Sequence, residues 1–161
     1  MTPRGPRHHF ACRLVWTGHG PTTNYRSYSR EVRIDFDGKP SLAGSAAPAF
    51  RGDGARHNPE DLLVAALSSC HCLSYLAVCA RAGIDVAAYD DEASGTLALH
   101  EGVLRFERVV LRPRVSLRGD GDAVRAERFH DEAHAGCFIA RSMNFPVFYH
   151  PSITVTDQPS V

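Results

Sequence analysis

The sequence predicts an α+β chain, an antiparallel sheet carrying a buried central helix and a second, shorter helix. Three observations predict it. Apolar residues alternate with polar ones in several segments bounded by Gly, Pro and Asp, the period of half-buried strands. One segment, 58–82, is apolar nearly all round and is capped like a helix. The elements run strand, strand, strand, helix, strand, strand, helix, strand. That is the order of a sheet with helices segregated on it, not of alternating βα units.

In residues 10–16, FACRLVW, the residues Phe10, Cys12, Leu14 and Trp16 fall on one side at period two, a strand. GHGP at 18–21 is a turn. A second strand runs from Tyr25 to Phe36, where Val32, Ile34 and Phe36 alternate with Arg33 and Asp35; Asp37-Gly38 then signals a hairpin. A third short strand is expected near 41–44, followed by a loop to His57. Asn58 is a good N-cap, Pro59 suits the first helical position, Glu60 and Asp61 favour the N-terminal dipole, and Gly83 is a stop. Between these ends only Ser68, Ser69, His71, Ser74 and Arg81 are clearly polar. Burying such a helix on every side is hard in a chain of 161 residues. A partner subunit covering one face is the simplest solution. Strands at 84–99 and 103–117 flank the turn His100-Glu101-Gly102. Asp122 caps a second helix over 123–136, and 146–156 forms a last strand with Pro151 as an edge or bulge mark.

The length fits one domain, 1–161. Lys plus Arg equals Asp plus Glu, 18 each, so no overall field calls for nucleic acid or a membrane surface. Lys39 is the only lysine, leaving Arg to supply the positive charge. No apolar run reaches the roughly 18–20 residues of a membrane span, and no apolar stretch follows the basic MTPRGPRHHF. A cytoplasmic location is expected. Five cysteines, at 12, 70, 72, 79 and 137, are an odd number without disulfide-framework spacing, which in a reducing compartment means free, catalytic or metal-bound thiols.

Cys72 and Cys79 sit among Leu73, Leu76 and Ala80 and read as inert core. Cys70 stands apart, between Ser68-Ser69 and His71. On a helix, positions 70 and 72 point about 200° apart, so the two cysteines cannot clamp one metal. His130, His134 and Cys137 share a helical face and could ligate zinc, or they could be a solvated polar face. No HExxH or paired CxxC supports a metal, so no metal and no cofactor is expected.

The stretch NPEDLLVAALSSC at 58–70 resembles the signature of the OsmC/Ohr family, in which an Asn-Pro-Glu helix start is followed ten residues after the Glu by a reactive cysteine. HDEAHAGC at 130–137 is similar to the family's second cysteine segment, and the element order matches over nearly the whole chain. The resemblance implies an intertwined homodimer and a peroxidase that reduces small-molecule or lipid hydroperoxides. Cys70 would be the peroxidatic thiolate, Cys137 the resolving thiol, and a dithiol the reductant. It also implies that Glu60 pairs with an Arg from the early strands; Arg26 in NYRSY is the first choice and Arg30 the second. The chain departs from the family in having FIARSMNFP after Cys137 and an extra Cys72.

Residue geometry adds one expectation. In an unbroken helix Glu60 and Cys70 lie about 15 Å apart, too far to share one Arg. A break near 66–69, capped by Ser68-Ser69, is therefore expected. Tyr25, Tyr28, Phe138, Phe145 and Phe148 could line an apolar mouth or could be plain core. Two other functions suit the same residues, a ligand-binding or structural dimer with inert cysteines and a small zinc-binding protein.

Overall fold

The computed structural model describes residues 5–119 and 121–156. The chain falls into two compact units, Met1–Leu62 and Leu63–Val161.

The first unit carries an antiparallel three-stranded sheet of β1 (Arg13–Val15), β2 (Val32–Phe36) and β3 (Lys39–Gly44). Asp37-Gly38 makes the hairpin, with Gly38 at a φ of 66° that only Gly adopts freely. The expected first strand is longer than β1. Phe10, Cys12, Leu14 and Trp16 are all exposed within this chain, so nothing in the unit rewards a longer pairing. The second strand begins at Val32, and Tyr25 to Ser27 form a turn, which moves Arg26 off the strand.

Helix α1 (Pro59–Arg81) starts as the sequence predicts, with the Asn58 Oδ1 accepting from the backbone N–H of Asp61 at 2.8 Å. It ends where Gly83 turns left-handed at φ 72°. There the N–H groups of Gly83 and Ile84 bond the carbonyls of Ala80 and Cys79, a Schellman closure. The expected break at 66–69 is absent; α1 is one helix. Its serines do not cap. Ser69 Oγ donates to the carbonyl of Ala65 one turn back at 2.7 Å, and Ser68 Oγ donates to Asp91 Oδ2 at 2.5 Å, so both hydroxyls are satisfied without opening the backbone.

Contrary to the expectation from its run lengths, α1 is by length and composition apolar enough to cross a membrane. In this fold it is a core helix. Leu67, Cys70, His71, Tyr75, Val78 and Cys79 are buried, while Asp61, Ala65, Ser69, Leu73, Ala77 and Arg81 form an exposed stripe at four-residue spacing.

In the second unit the three long predicted strands each bend at one level. The first divides into β4 (Val86–Asp91) and β5 (Ser94–His100), the second into β6 (Val103–Leu111) and β7 (Pro113–Arg118), and the third into β8 (Val147–Tyr149) and β9 (Ser152–Thr156). The breaks fall in register, because Asp91 pairs Pro113 below them and Ser94 pairs Val110 above. Asp91 Oδ1 accepts from the N–H of Arg112 at the bend, at 2.6 Å, and Pro151 marks the bend of the third strand. Sheet orders are β4-β7-β9 and β5-β6-β8. Glu101 and Gly102, both at positive φ, make the two-residue turn between β5 and β6.

The sheets are mixed rather than wholly antiparallel, since β8 and β9 run parallel to β6 and β7. They return after a crossover through helix α2 (Ala123–Gly136), and a helical crossover delivers parallel strands.

The core packs α1 on these sheets in two clusters. Tyr75, Val78 and Cys79 meet Val115 and Leu117 of β7 and Ala126, Phe129 and Ala133 of α2. Leu67 meets Val109 and Leu111 of β6. Leu67 is fully buried, which is worth about 1.5–3 kcal/mol.

Candidate active site

Two buried cysteines come together where the middle of α1 meets the end of α2. Cys137 is the C-cap of α2, its N–H bonded to the His134 carbonyl. Its sulfur lies 2.8 Å from Cys70 Sγ. Both thiols are free. The two residues are 67 apart in sequence, so the juxtaposition is made by the packing of α2 on α1. Because 70 meets 137 and 75 stacks with 130, the helices run antiparallel here.

Burial, then the hydrogen bond to Cys70, push the Cys137 thiol up to about 11. The N–H of Ala140, 3.4 Å from Cys137 Sγ, pulls the other way and does not offset the burial. Cys137 S–H is the donor and Cys70 Sγ the acceptor. The dipole of α1 gives Cys70 no help, since twelve residues of continuous helix set it about 18 Å from the N-terminus.

Cys70 opens on one side to an apolar cavity of about 480 Å³ lined by Ala66, Ser69, Leu73, Ser74, Phe138 and Ile139 among others. None of the described residues that line it is charged. Phe138 thus sits where an apolar mouth was expected. Phe145 does not; it stacks on Phe106 in the core at 5.4 Å. Cys72 is half-buried, and its thiol is raised by burial and by the nearby Asp91, which suits inert packing. Cys79 is buried, its thiol also raised by burial.

The other expected site residues lie in the first unit. Glu60 is in the first turn of α1, and its Oε2 is buried with no hydrogen-bond partner among the described residues. Arg26 is exposed, and its N–H bonds Asn24 Oδ1 at 2.9 Å. Arg30 is half-buried. Its guanidinium donates to the carbonyls of Tyr28 and Tyr25 and lies over both rings, 4.0 Å and 4.7 Å from their centroids. Tyr25 and Tyr28 therefore hold this cation. Arg30 also lines a second apolar cavity, of about 510 Å³, with Trp16, Tyr28, Val32 and Pro59. Among the described residues that line it there is no cysteine, whereas Cys70 lines the first cavity.

Of the residues weighed as zinc ligands, His134 lies tilted against Tyr149, ring centroids 5.1 Å apart, its Nδ1 buried without a hydrogen-bond partner among the described residues. His130 Nδ1 faces His71 Nε2 at 3.0 Å, and Cys137 faces Cys70. Sequence reasoning missed the His71–His130 contact. Its signals were a lone imidazole in an apolar helix and a histidine pair at i, i+4.

A family model described as OsmC-like protein matches residues 52–149, well over half of the chain. The chain belongs to the OsmC-like family. Among solved structures it is similar to an OsmC-like protein of unknown function from Vibrio cholerae, with 32% identity, a TM-score of 0.85, and coverage of 91% of this chain and 100% of that one. It shares the fold of the organic hydroperoxide resistance protein OhrB of Bacillus subtilis, at 21% identity, a TM-score of 0.61, and coverage of 89% and 98%. The uncharacterized protein YmaD of Bacillus subtilis is 24% identical over 139 residues, 84% of this chain and 87% of that protein. The family includes organic hydroperoxide resistance proteins, and both the motif at 58–70 and the cysteine segment at 130–137 fall within the matched region.

Proposed function

We propose that this chain is a thiol-dependent peroxidase that reduces organic hydroperoxides through Cys70 and Cys137. The observation that carries the reading is the 2.8 Å approach of the two sulfurs at the base of an apolar cavity. The Cys70 thiolate attacks the distal peroxide oxygen, the O–O bond breaks, and the alkoxide takes a proton and leaves as alcohol. Cys70 is left as a sulfenic acid. Cys137 sulfur then attacks Cys70 Sγ and loses its proton, while hydroxide takes a proton and leaves as water. A disulfide results. An external dithiol reopens it by exchange and becomes oxidised in turn.

Geometry supports the pairing, because a covalent S–S bond of about 2.05 Å is reached from 2.8 Å by a side-chain adjustment. One equivalent of cumene hydroperoxide should remove two of the five thiols per chain, counted with a thiol reagent under denaturing conditions. No loss would leave a binding module with inert cysteines. In Cys137→Ser, Cys70 should react once, form no internal disulfide, and pass to sulfinic acid in excess peroxide, a gain of two oxygens by mass spectrometry. A surviving disulfide to Cys72 or Cys79 would assign resolution elsewhere.

A buried thiolate needs a cation, and among the described residues none lines the Cys70 cavity. We assign that role to an Arg steadied by Glu60. Arg26 was the first choice by sequence. Arg30 is the better supported, being half-buried in a cavity whose wall includes Pro59, next in sequence to Glu60 with its unpartnered oxygen. Arg30→Ala should slow peroxide attack at least about tenfold, at about 1.4 kcal/mol per decade. Arg26→Ala should do less. Alkylation rate against pH reads both. Unchanged values in both variants would give the role to another group.

The function is read on a homodimer. Between the charged ends Asp61 and Arg81, the exposed stripe of α1 carries Ala65, Ser69, Leu73 and Ala77; Leu73 and Phe138 beside the cavity are each 67% exposed, and Phe10, Leu14 and Trp16 stand uncovered on the first unit. Light scattering should give a dimer of about 35 kDa, twice the 17.6 kDa chain. An active monomer at micromolar concentration would reject this.

A further inference from the structure

Next to the sulfur pair, the same two helices are joined by a second buried contact. His71, the residue after Cys70, is 1% exposed, and His130, two turns before Cys137, is 0% exposed. His71 Nε2 and His130 Nδ1 are 3.0 Å apart. Each imidazole is held by a ring. His130 stacks on Tyr75 at 4.0 Å and 17°, and His71 on Tyr149 at 5.5 Å and 29°. The Tyr149 hydroxyl donates to Asp131 Oδ1 at 2.7 Å, which ties β8 back to α2. Both imidazoles stay neutral at neutral pH, pushed down to about 4 first by burial and then by a neighbouring histidine. One ring therefore donates and the other accepts.

The geometry points to His71 and His130 as positioning residues that fix the register of α1 against α2 and so set the distance between the Cys70 and Cys137 sulfurs. This rests on the reading that the two thiols form a disulfide, and it concerns only the resolving step.

Apart from the sulfur pair and the His134 ring, 6.5 Å from that of His71, the two helices share an apolar cluster with small side chains, to which Val78 and Cys79 of α1 and Ala126 and Ala133 of α2 belong. Such surfaces resist separation far more than sliding. A buried hydrogen bond between two planar, ring-stacked groups resists sliding, the role best attested for buried polar groups in helical interfaces. Register matters here because sulfur must attack sulfur along one line, and a misplacement of about 1 Å can cost about a hundredfold in rate. Stability need not suffer when both partners become apolar together, since no buried donor or acceptor is then stranded.

The test separates closure of the disulfide from the first attack. His71→Leu/His130→Leu removes the bond. His71→Gln/His130→Asn keeps one, because a glutamine amide reaches the position of Nε2 and an asparagine amide that of Nδ1. Dimedone, which traps sulfenic acid, competes with Cys137 after one equivalent of cumene hydroperoxide. In the leucine pair, disulfide closure should slow about 10–100-fold and the dimedone adduct at Cys70 should dominate, with consumption of the peroxide itself changed less than about twofold. The disulfide's equilibrium constant in a dithiothreitol buffer should weaken by a similar factor, and the amide pair should restore both.

Equal slowing of peroxide attack and closure would overturn the inference, as would wild-type closure and equilibrium in the leucine pair. If the leucine pair does not fold, the amide pair with single His71→Gln and His130→Asn decides by the same two readings. The dithiol equilibrium needs no peroxide. A wild type that forms the disulfide there but ignores hydroperoxide would reject the peroxidase reading and leave the positioning role standing.

Discussion

Cys70→Ser should consume organic hydroperoxide no faster than the buffer, whereas Cys72→Ser and Cys79→Ser should keep most of the wild-type rate. The expectation follows from where the three side chains point along one unbroken helix. Cys70 faces both α2, where it meets Cys137, and the apolar cavity. Cys72 is turned about 200° away, and its thiol is raised by burial and by Asp91, which leaves less thiolate to react. Cys79 is sealed beneath Tyr75 and Val115 in the core, likewise raised by burial. A serine hydroxyl cannot form the thiolate that peroxide chemistry needs, so the loss at position 70 should be complete. Turnover of cumene hydroperoxide in the presence of dithiothreitol measures all three variants, and folding is checked by circular dichroism. A dead Cys72→Ser beside an active Cys70→Ser would move the nucleophile by two residues and refute the assignment.

Much of this site could be read from the sequence, and the reasons are local. The cap at Asn58 and the stop at Gly83 are written in single residues whose backbone roles are specific, so α1 was bounded within one residue at each end. The break expected at Ser68-Ser69 was wrong because a serine offers its hydroxyl either as a cap or to a carbonyl one turn back. Only the partner across the fold, Asp91 for Ser68, decides between them. The three long strands were legible by alternation, but their shared bend was not, since it needs Asp91, Arg112 and Pro151 to lie in one row. Parallel pairing of β8 and β9 was hidden because alternation carries no direction. The His71–His130 contact was illegible for the same reason as most long-range pairs. Each histidine has an ordinary local explanation, and only the antiparallel packing of α1 and α2 brings them to 3.0 Å.

Lowering the pH from about 6.5 to about 4 should destabilise the folded chain by several kcal/mol. His71 and His130 are both pushed down from 6.5 to about 4, by burial first and then by His134 and His71 respectively. Asp91 and Asp131 pull the other way and do not offset the burial. A folded pKa below the unfolded one means that the unfolded chain binds more protons within this window, so stability rises with pH there. The contribution is fully present above about pH 6.5, is lost as pH falls, and stops changing below about 4. Each imidazole taken alone would account for about 3 kcal/mol. The two touch and therefore titrate together, so the pair is expected to cost between about 3 and 6 kcal/mol, a large part of the roughly 5–15 kcal/mol that holds a domain folded. The half-buried Asp35 and the exposed Asp53 are lowered below 3.8 by hydrogen bonds, from Ser41 and Arg33 in one case and from the Ala55 N–H in the other. Their contributions are lost only below that pH, outside the histidine window. Urea midpoints of the wild type at pH 7, 5.5 and 4 should therefore fall steadily, while those of His71→Leu/His130→Leu should stay nearly level over the same range. A wild-type midpoint that does not move between pH 7 and 4, or a double variant that loses stability as steeply as the wild type, would mean that the buried imidazoles are not what acid attacks.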